Sequence, residues 1–190
     1  LSTIRRNGVR SLLMGGQACI LYGGAEFSRD TDILVVADAA NLARLQAAVD
    51  DLQAGVIAVP PFEGRFLLAG HAVHFRCQIP AAAGIRLDVM AKLRGLPDFE
   101  TLWNRRTTLE TSTETIDVLS LSDLVTAKKT QRDKDWPMIT RLVEAHYAQH
   151  EQAAGRQHLG QIGVEEPGIG DVAEHELALE RRNRLASIDE

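Results

Sequence analysis

The chain reads as an α+β (α/β-type) fold, with strands and helices in alternation followed by a helical C-terminal region. Three observations predict it. Apolar runs of strand length recur at 9–14, 33–36, 72–78 and 85–90. Between the second and third of them stands a segment with Leu42, Leu45, Val49 and Leu52 at helical spacing. Glycine and proline pairs punctuate the series at Gly15-Gly16, Gly23-Gly24 and Pro60-Pro61. With 190 residues, 45% of them hydrophobic, the chain can build one substantial core and a helical annex.

Taken in order, residues 1–7 read as the end of a helix that Gly8 stops. Val9 to Met14 is a buried strand, and Gly15-Gly16 turns it into a short helix over 17–22 that Gly23-Gly24 closes. Ile33 to Val36 is the next strand, and 41–52 is an amphipathic helix. Ala72 to Gln78 and Ile85 to Met90 are adjacent strands. Residues 98–105, with Trp103, form a short helix, and 107–111 with 115–119 form a hairpin of β-branched residues around a polar middle. Ser122 is placed to cap a helix reaching Arg132. Pro137 then suits the first turn of a helix ending near Gln149. The glycine-bearing segment from Glu151 to Gly170 reads as a linker, and Asp171 to Arg184 as a polar helix. That last helix would dock on the core or on a second copy of the chain, a homodimer. The expected divisions are 1–119, 120–150 and 151–190.

Composition excludes several classes. No stretch approaches the ~18 uninterrupted apolar residues of a membrane span, so no membrane role is expected. The net charge of −5 argues against broad binding to duplex DNA, which depends on many cationic phosphate contacts. Cys19 and Cys77 are too few for a disulfide framework and suit buried thiols in a reducing cytoplasm. His71 and His74 stand three apart on a strand and so face opposite sides, which speaks against a zinc pair.

The chemistry concentrates in one constellation. Leu13-Met14-Gly15-Gly16 is followed, thirteen residues on, by Asp30-Thr31-Asp32-Ile33-Leu34-Val35. On an extended segment side chains two apart point the same way, so Asp30 and Asp32 can share one cation. The glycines allow close backbone approach to a phosphate. A third acid, Asp88, lies in the apolar run Leu87-Asp88-Val89, where a carboxylate costs several kcal/mol unless it is paired, at an edge or bound to metal. Arg29 stands beside the acids, where it could contact phosphate or neutralise Asp30. Lys128 and Arg132 share a helix face at i, i+4 and could reach a triphosphate. Tyr22 and Trp103 read as packing residues.

These residues together resemble the DNA polymerase beta-like nucleotidyltransferase superfamily, whose signature is a Gly-Gly or Gly-Ser turn, an Asp-x-Asp after a gap, and a third acid on a neighbouring strand. The resemblance covers roughly the first ninety residues. The stretch Leu119-Ser120-Leu121-Ser122-Asp123-Leu124 through Lys128-Lys129 to Asp135 is similar to the helix after the catalytic sheet in abortive-infection and toxin–antitoxin members. It implies a mixed β-sheet flanked by helices. It further implies transfer of a nucleoside monophosphate from an NTP to a hydroxyl acceptor on a protein, an RNA end or a small molecule. Asp30, Asp32 and Asp88 would be both catalytic and metal-binding, with Mg²⁺ as cofactor and Mn²⁺ as an alternative. Asp88 would ligate the ion at the attacking hydroxyl and could accept its proton. Gly15, Gly16, Arg29, Lys128 and Arg132 would bind the nucleotide. Two alternatives stand beside it: an antibiotic nucleotidyltransferase, and a catalytically degenerate member that binds a nucleotide or partner without turnover.

Overall fold

The structure is a computed structural model in which residues 1–110, 114–129 and 136–161 are described, the side chains of the last segment as far as 148. Strand-length apolar runs become β1 (Ser11–Met14), β2 (Asp30–Val35), β4 (Val73–Arg76) and β5 (Arg86–Met90), and the β-branched hairpin becomes β6 (Thr107–Glu110) and β7 (Thr115–Val118). A two-residue strand not expected from the sequence, β3 (Gly55–Val56), completes a seven-stranded sheet in the order β3-β4-β5-β2-β1-β7-β6. The sheet is mixed: β2 runs parallel to β5 and β1 to β7, while β1–β2, β3–β4, β4–β5 and β6–β7 are antiparallel. The helices are α1 (Ser2–Arg6), α2 (Gly15–Leu21), α3 (Ala39–Asp51), α4 (Gly64–Leu68), α5 (Phe99–Asn104), α6 (Leu121–Lys129) and α7 (Trp136–Gln161). The α+β expectation therefore stands.

The differences from expectation have local causes. The strand carrying the acids begins at Asp30 rather than Ile33, because hydrogen bonding to β5 starts at the Asp30–Arg86 pair. Asp30 and Asp32 thus lie within β2, not before it. Ser120, rather than Ser122, caps α6: its Oγ accepts from the Asp123 amide at 3.3 Å and donates to the Asp123 carboxylate at 2.6 Å. The cap satisfies one donor that the first helical turn leaves open, the Asp123 amide. The last described helix continues to Gln161, past the expected end at Gln149 and into the segment expected to be a linker. The expected helix at 171–184 lies outside the described residues.

The chain divides into two compact units, Leu1–His146 and Tyr147–Glu190. The core of the first is one apolar cluster with Leu12, Ile33, Leu34, Val35, Phe75, Leu102 and Leu142 all fully buried. Asn41 ties the far ends of β1 and β2 together. Its amide donates to the carbonyls of Arg10 (3.1 Å) and Val36 (2.9 Å), and its Oδ1 accepts from the Arg10 amide (2.7 Å). The first turns of α7 pack on the Gly23-Gly24 turn so tightly that a Cβ at Gly24 would meet Leu142 at 2.4 Å. Among the described residues no helix is long and apolar enough to cross a membrane.

Candidate functional site

Sheet parity puts the acids on one face. Asp30 and Asp32 alternate with Thr31 and Ile33 along β2, and Arg86 and Asp88 alternate with Leu87 along β5. The parallel register sets Asp30 opposite Arg86 and Asp32 opposite Asp88. Across the other side of β5, His74 of β4 is opposite Asp88. On β1, Met14 is opposite Asp32. Three acids, one arginine and one histidine therefore occupy adjacent positions on a single face, although they come from sequence positions up to 58 residues apart (88 − 30).

This face floors a cleft of about 780 Å³, walled by Gly15 and Gly16 at the start of α2, by Phe27, Ser28 and Arg29 of the following loop, by Lys128 of α6 and by Met138 of α7. All three methionines of the chain, Met14, Met90 and Met138, line it. Gly15 has φ +67°, and a Cβ there would lie 1.9 Å from Asp32 Oδ2. Only glycine permits both that backbone and that approach. At Gly16 a Cβ would meet Ser28 Oγ at 2.4 Å, and Ser28 Oγ in turn donates to the Asp30 carbonyl at 3.0 Å. The Gly-Gly pair thus sets how closely the helix start and the acid strand approach one another.

The electrostatics of the floor are dominated by Arg86. Its Nη2 lies 3.0 Å from Asp30 Oδ2 and 2.8 Å from Asp88 Oδ2. The hydrogen bond to Asp88 holds the guanidinium above its ordinary pKa, so it stays charged. Asp88 is buried, with its side chain 5% exposed. His74 Nδ1 stands 2.8 Å from Asp88 Oδ1, and neither atom makes a hydrogen bond. Among the described residues no three carboxylate, imidazole or thiol groups converge as a ready cage for a metal ion.

Asp32 has its pKa raised above the usual 3.8, first by burial and next by the Asp88 charge; Lys128 pulls it down, Asp30 pushes it up, and a backbone hydrogen bond from Gly16 pulls it down. Between 3.8 and the raised value the folded chain keeps a proton that the unfolded chain has lost, so stability falls as pH rises through that window. Asp32→Asn is therefore expected to melt higher than the wild type in chelator at neutral pH. The advantage should shrink as pH approaches 3.8. A pH series of melting curves checks this, and an Asn variant that melts no higher at neutral pH would show that Lys128 and Gly16 fully offset the crowding.

Of the residues singled out from sequence, the structure brings Gly15, Gly16, Arg29, Asp30, Asp32, Asp88 and Lys128 to one cleft. Arg132 lies outside the described residues. The cation paired with Asp30 is Arg86. Tyr22 and Trp103 are packing residues, as expected: Tyr22 donates to the Leu119 carbonyl at 3.0 Å, and Trp103 stacks on Phe99 between Arg10 and Arg106. Sequence reasoning missed Arg86 and His74. Arg86 carried a usable signal, since it stands two before Asp88 and so shares its face by the rule applied to Asp30 and Asp32. His74 carried none, because its place beside Asp88 depends on the β4–β5 register.

No protein-family model and no curated protein matches the chain. Among solved structures it is similar to the lincosamide antibiotic adenylyltransferase LnuA bound to lincomycin, at 15% identity and a TM-score of 0.48, over 74% of this chain and 90% of that one. It is also similar to the antibiotic-resistance factor ANT(2'')-Ia in solution, at 11% identity and a TM-score of 0.44, over 84% and 92% respectively.

Proposed function

We propose that this chain is a metal-dependent nucleotidyltransferase that moves a nucleoside monophosphate from an NTP to a hydroxyl acceptor. The observation that carries this is the cross-strand pair Asp32–Asp88, with Asp30 on the same face, at the floor of the cleft that Gly15 and Gly16 open. Carboxylates crowded on one face, one of them buried, are unfavourable without cations, and two of the three here are held by a single arginine.

The donor set suits Mg²⁺, or Mn²⁺ in its place, since magnesium takes carboxylate oxygens together with substrate phosphates. Among the described residues Asp32 makes no ion pair in the cleft floor, and its pKa is raised first by burial and next by the Asp88 charge, which a bound cation would relieve. Asp30, Asp32 and Asp88 would hold the ion, the first and last of them once Arg86 lets them go. When bound, such an ion stabilises charge on the attacking and leaving oxygens.

The chain's own residues supply the rest. Asp88, at the cleft floor, would accept the proton of the attacking hydroxyl. Lys128, only 8% exposed, keeps its ammonium beside the acids, where it offsets triphosphate charge. Arg29 offers a second cation at the rim, and Phe27 with the three methionines forms an apolar wall for a base or an acceptor. Most of the rate would come from alignment and charge neutralisation. The acceptor is a hydroxyl of a protein, an RNA end or a small molecule. The segment that resembles the toxin–antitoxin and abortive-infection branch is, in its described part, the approach to α6 and the helix itself, which delivers Lys128 to the cleft. That supports a role of that type.

The test is thermal unfolding with each NTP, with and without Mg²⁺, on the wild type and Asp32→Ala. A nucleotide at a hundred times its Kd stabilises a fold by about 2.7 kcal/mol, a shift that needs no known acceptor. A Mg²⁺-dependent shift in the wild type that Asp32→Ala loses is the expected result. A shift that Asp32→Ala keeps would mean binding without the metal chemistry, and no shift with any NTP would end the proposal.

A further inference from the structure

We propose that Arg86 is the resident counter-cation of the acidic cleft and sets its affinity for divalent metal: the guanidinium ties up Asp30 and Asp88, and a metal ion must displace it. The inference rests on reading Asp30, Asp32 and Asp88 as metal ligands.

Four observations carry it. First, the register places Arg86 directly opposite Asp30 and on the same face as Asp88, so its side chain lies among the acids by strand parity alone. Second, one nitrogen serves both acids, Nη2 at 3.0 Å from Asp30 and 2.8 Å from Asp88, while Nε is buried without a hydrogen-bond partner. Third, the structure contains a contrasting arginine. Arg105 grips Asp123 through two nitrogens, Nε at 2.7 Å and Nη2 at 2.5 Å, in the forked geometry of a structural clamp. Arg86 makes no such fork with either acid, so its hold is easier to release. Fourth, its side chain is 40% exposed and lines the cleft, which gives the released guanidinium water or a substrate phosphate to turn toward.

The charge balance points the same way. Asp30, Asp32 and Asp88 face Arg86 and Lys128, so removing the arginine takes one of the two cations from three carboxylates. With the arginine in place, a metal-free protein is kept stable. Metal would then bind well only when something else, such as the triphosphate, takes the guanidinium.

The experiment is a nucleotide-free Mn²⁺ titration of the full chain, followed by the electron paramagnetic resonance signal of free Mn²⁺, for wild type, Arg86→Gln and Arg86→Lys. Removing a competing charge in direct contact with two ligands should tighten Mn²⁺ binding by about tenfold or more in Arg86→Gln. Arg86→Lys should fall between the two, since a point charge can neutralise but spans both acids less well. A residue that merely supported the fold would weaken binding when removed, so a gain in affinity is specific to competition. Equal or weaker Mn²⁺ binding in Arg86→Gln overturns the proposal while leaving the nucleotidyltransferase reading in place. If neither protein binds Mn²⁺ at millimolar concentration, the metal-ligand reading fails with it. Should Arg86→Gln fold only with Mn²⁺ present, that supports the proposal. Should it not fold at all, Arg86→Lys decides, and an affinity no tighter than wild type overturns it.

Discussion

Gly15→Ala is expected to lower stability by about 3 kcal/mol and to abolish the nucleotide response. Two separate penalties add at this position. The residue sits at φ +67°, where an L side chain costs roughly 1–2 kcal/mol. Its Cβ would also stand 1.9 Å from Oδ2, 2.5 Å from Cγ and 2.8 Å from Cβ of Asp32. One of the two must move, and both are fixed: Gly15 begins α2 and Asp32 is paired with both Met14 and Asp88. Gly8 provides the control, with φ +68° and nothing nearer to a Cβ than Arg44 Cδ at 3.8 Å. Gly8→Ala should therefore show the backbone penalty alone and keep its nucleotide response. Urea unfolding of the two variants separates strain from collision, and equal losses would show that β2 absorbs the collision at no cost.

The second large effect is far from the cleft. Asn41→Asp should destabilise the protein by about 4 kcal/mol, because it replaces a buried donor of two hydrogen bonds with a carboxylate oxygen facing two carbonyls. Asn41 is 1% exposed, and its amide nitrogen serves Arg10 and Val36. These contacts lie at the ends of β1 and β2 remote from Met14 and Asp32. The variant should thus melt much lower while its NTP-induced shift, measured well below the melting range, stays as large as in wild type. Loss of both together would mean that the β1–β2 pair cannot hold the acids in place without this bracket.

Much of the site was visible in the sequence because its rules are local. Gly15-Gly16 after an apolar run and Asp30, Asp32 two apart are statements about neighbours in the chain, and strand parity converts them directly into a shared face. Asp88 could be flagged by its apolar setting alone. What could not be read is everything decided by register. Nothing near residue 74 says that His74 will stand opposite Asp88, or that Asp30 will face Arg86 rather than be neutralised by the adjacent Arg29. Both follow from how β2, β5 and β4 align, and each alignment is fixed by the whole set of apolar residues those strands bury. The same holds for Asn41, whose three bonds reach residues 31 positions earlier and 5 earlier in the chain. Short elements were lost for a different reason: β3 has two residues and α4 five, too few for any period to appear. The N-cap of α6 was displaced by two residues because Ser120 and Ser122 both precede an apolar helical run, and only the reciprocal bond with Asp123 distinguishes them.

Methionine methyl groups give sharp, isolated signals under selective isotopic labelling, and this chain has three, all of them at the cleft. Met14 is buried beside Asp32, while Met90 and Met138 are only partly buried. The methyl spectrum of the labelled chain is accordingly a spectrum of the site alone, read at one buried depth and two open ones. Composition has supplied, with no engineered probe, a three-channel receiver tuned to whatever enters.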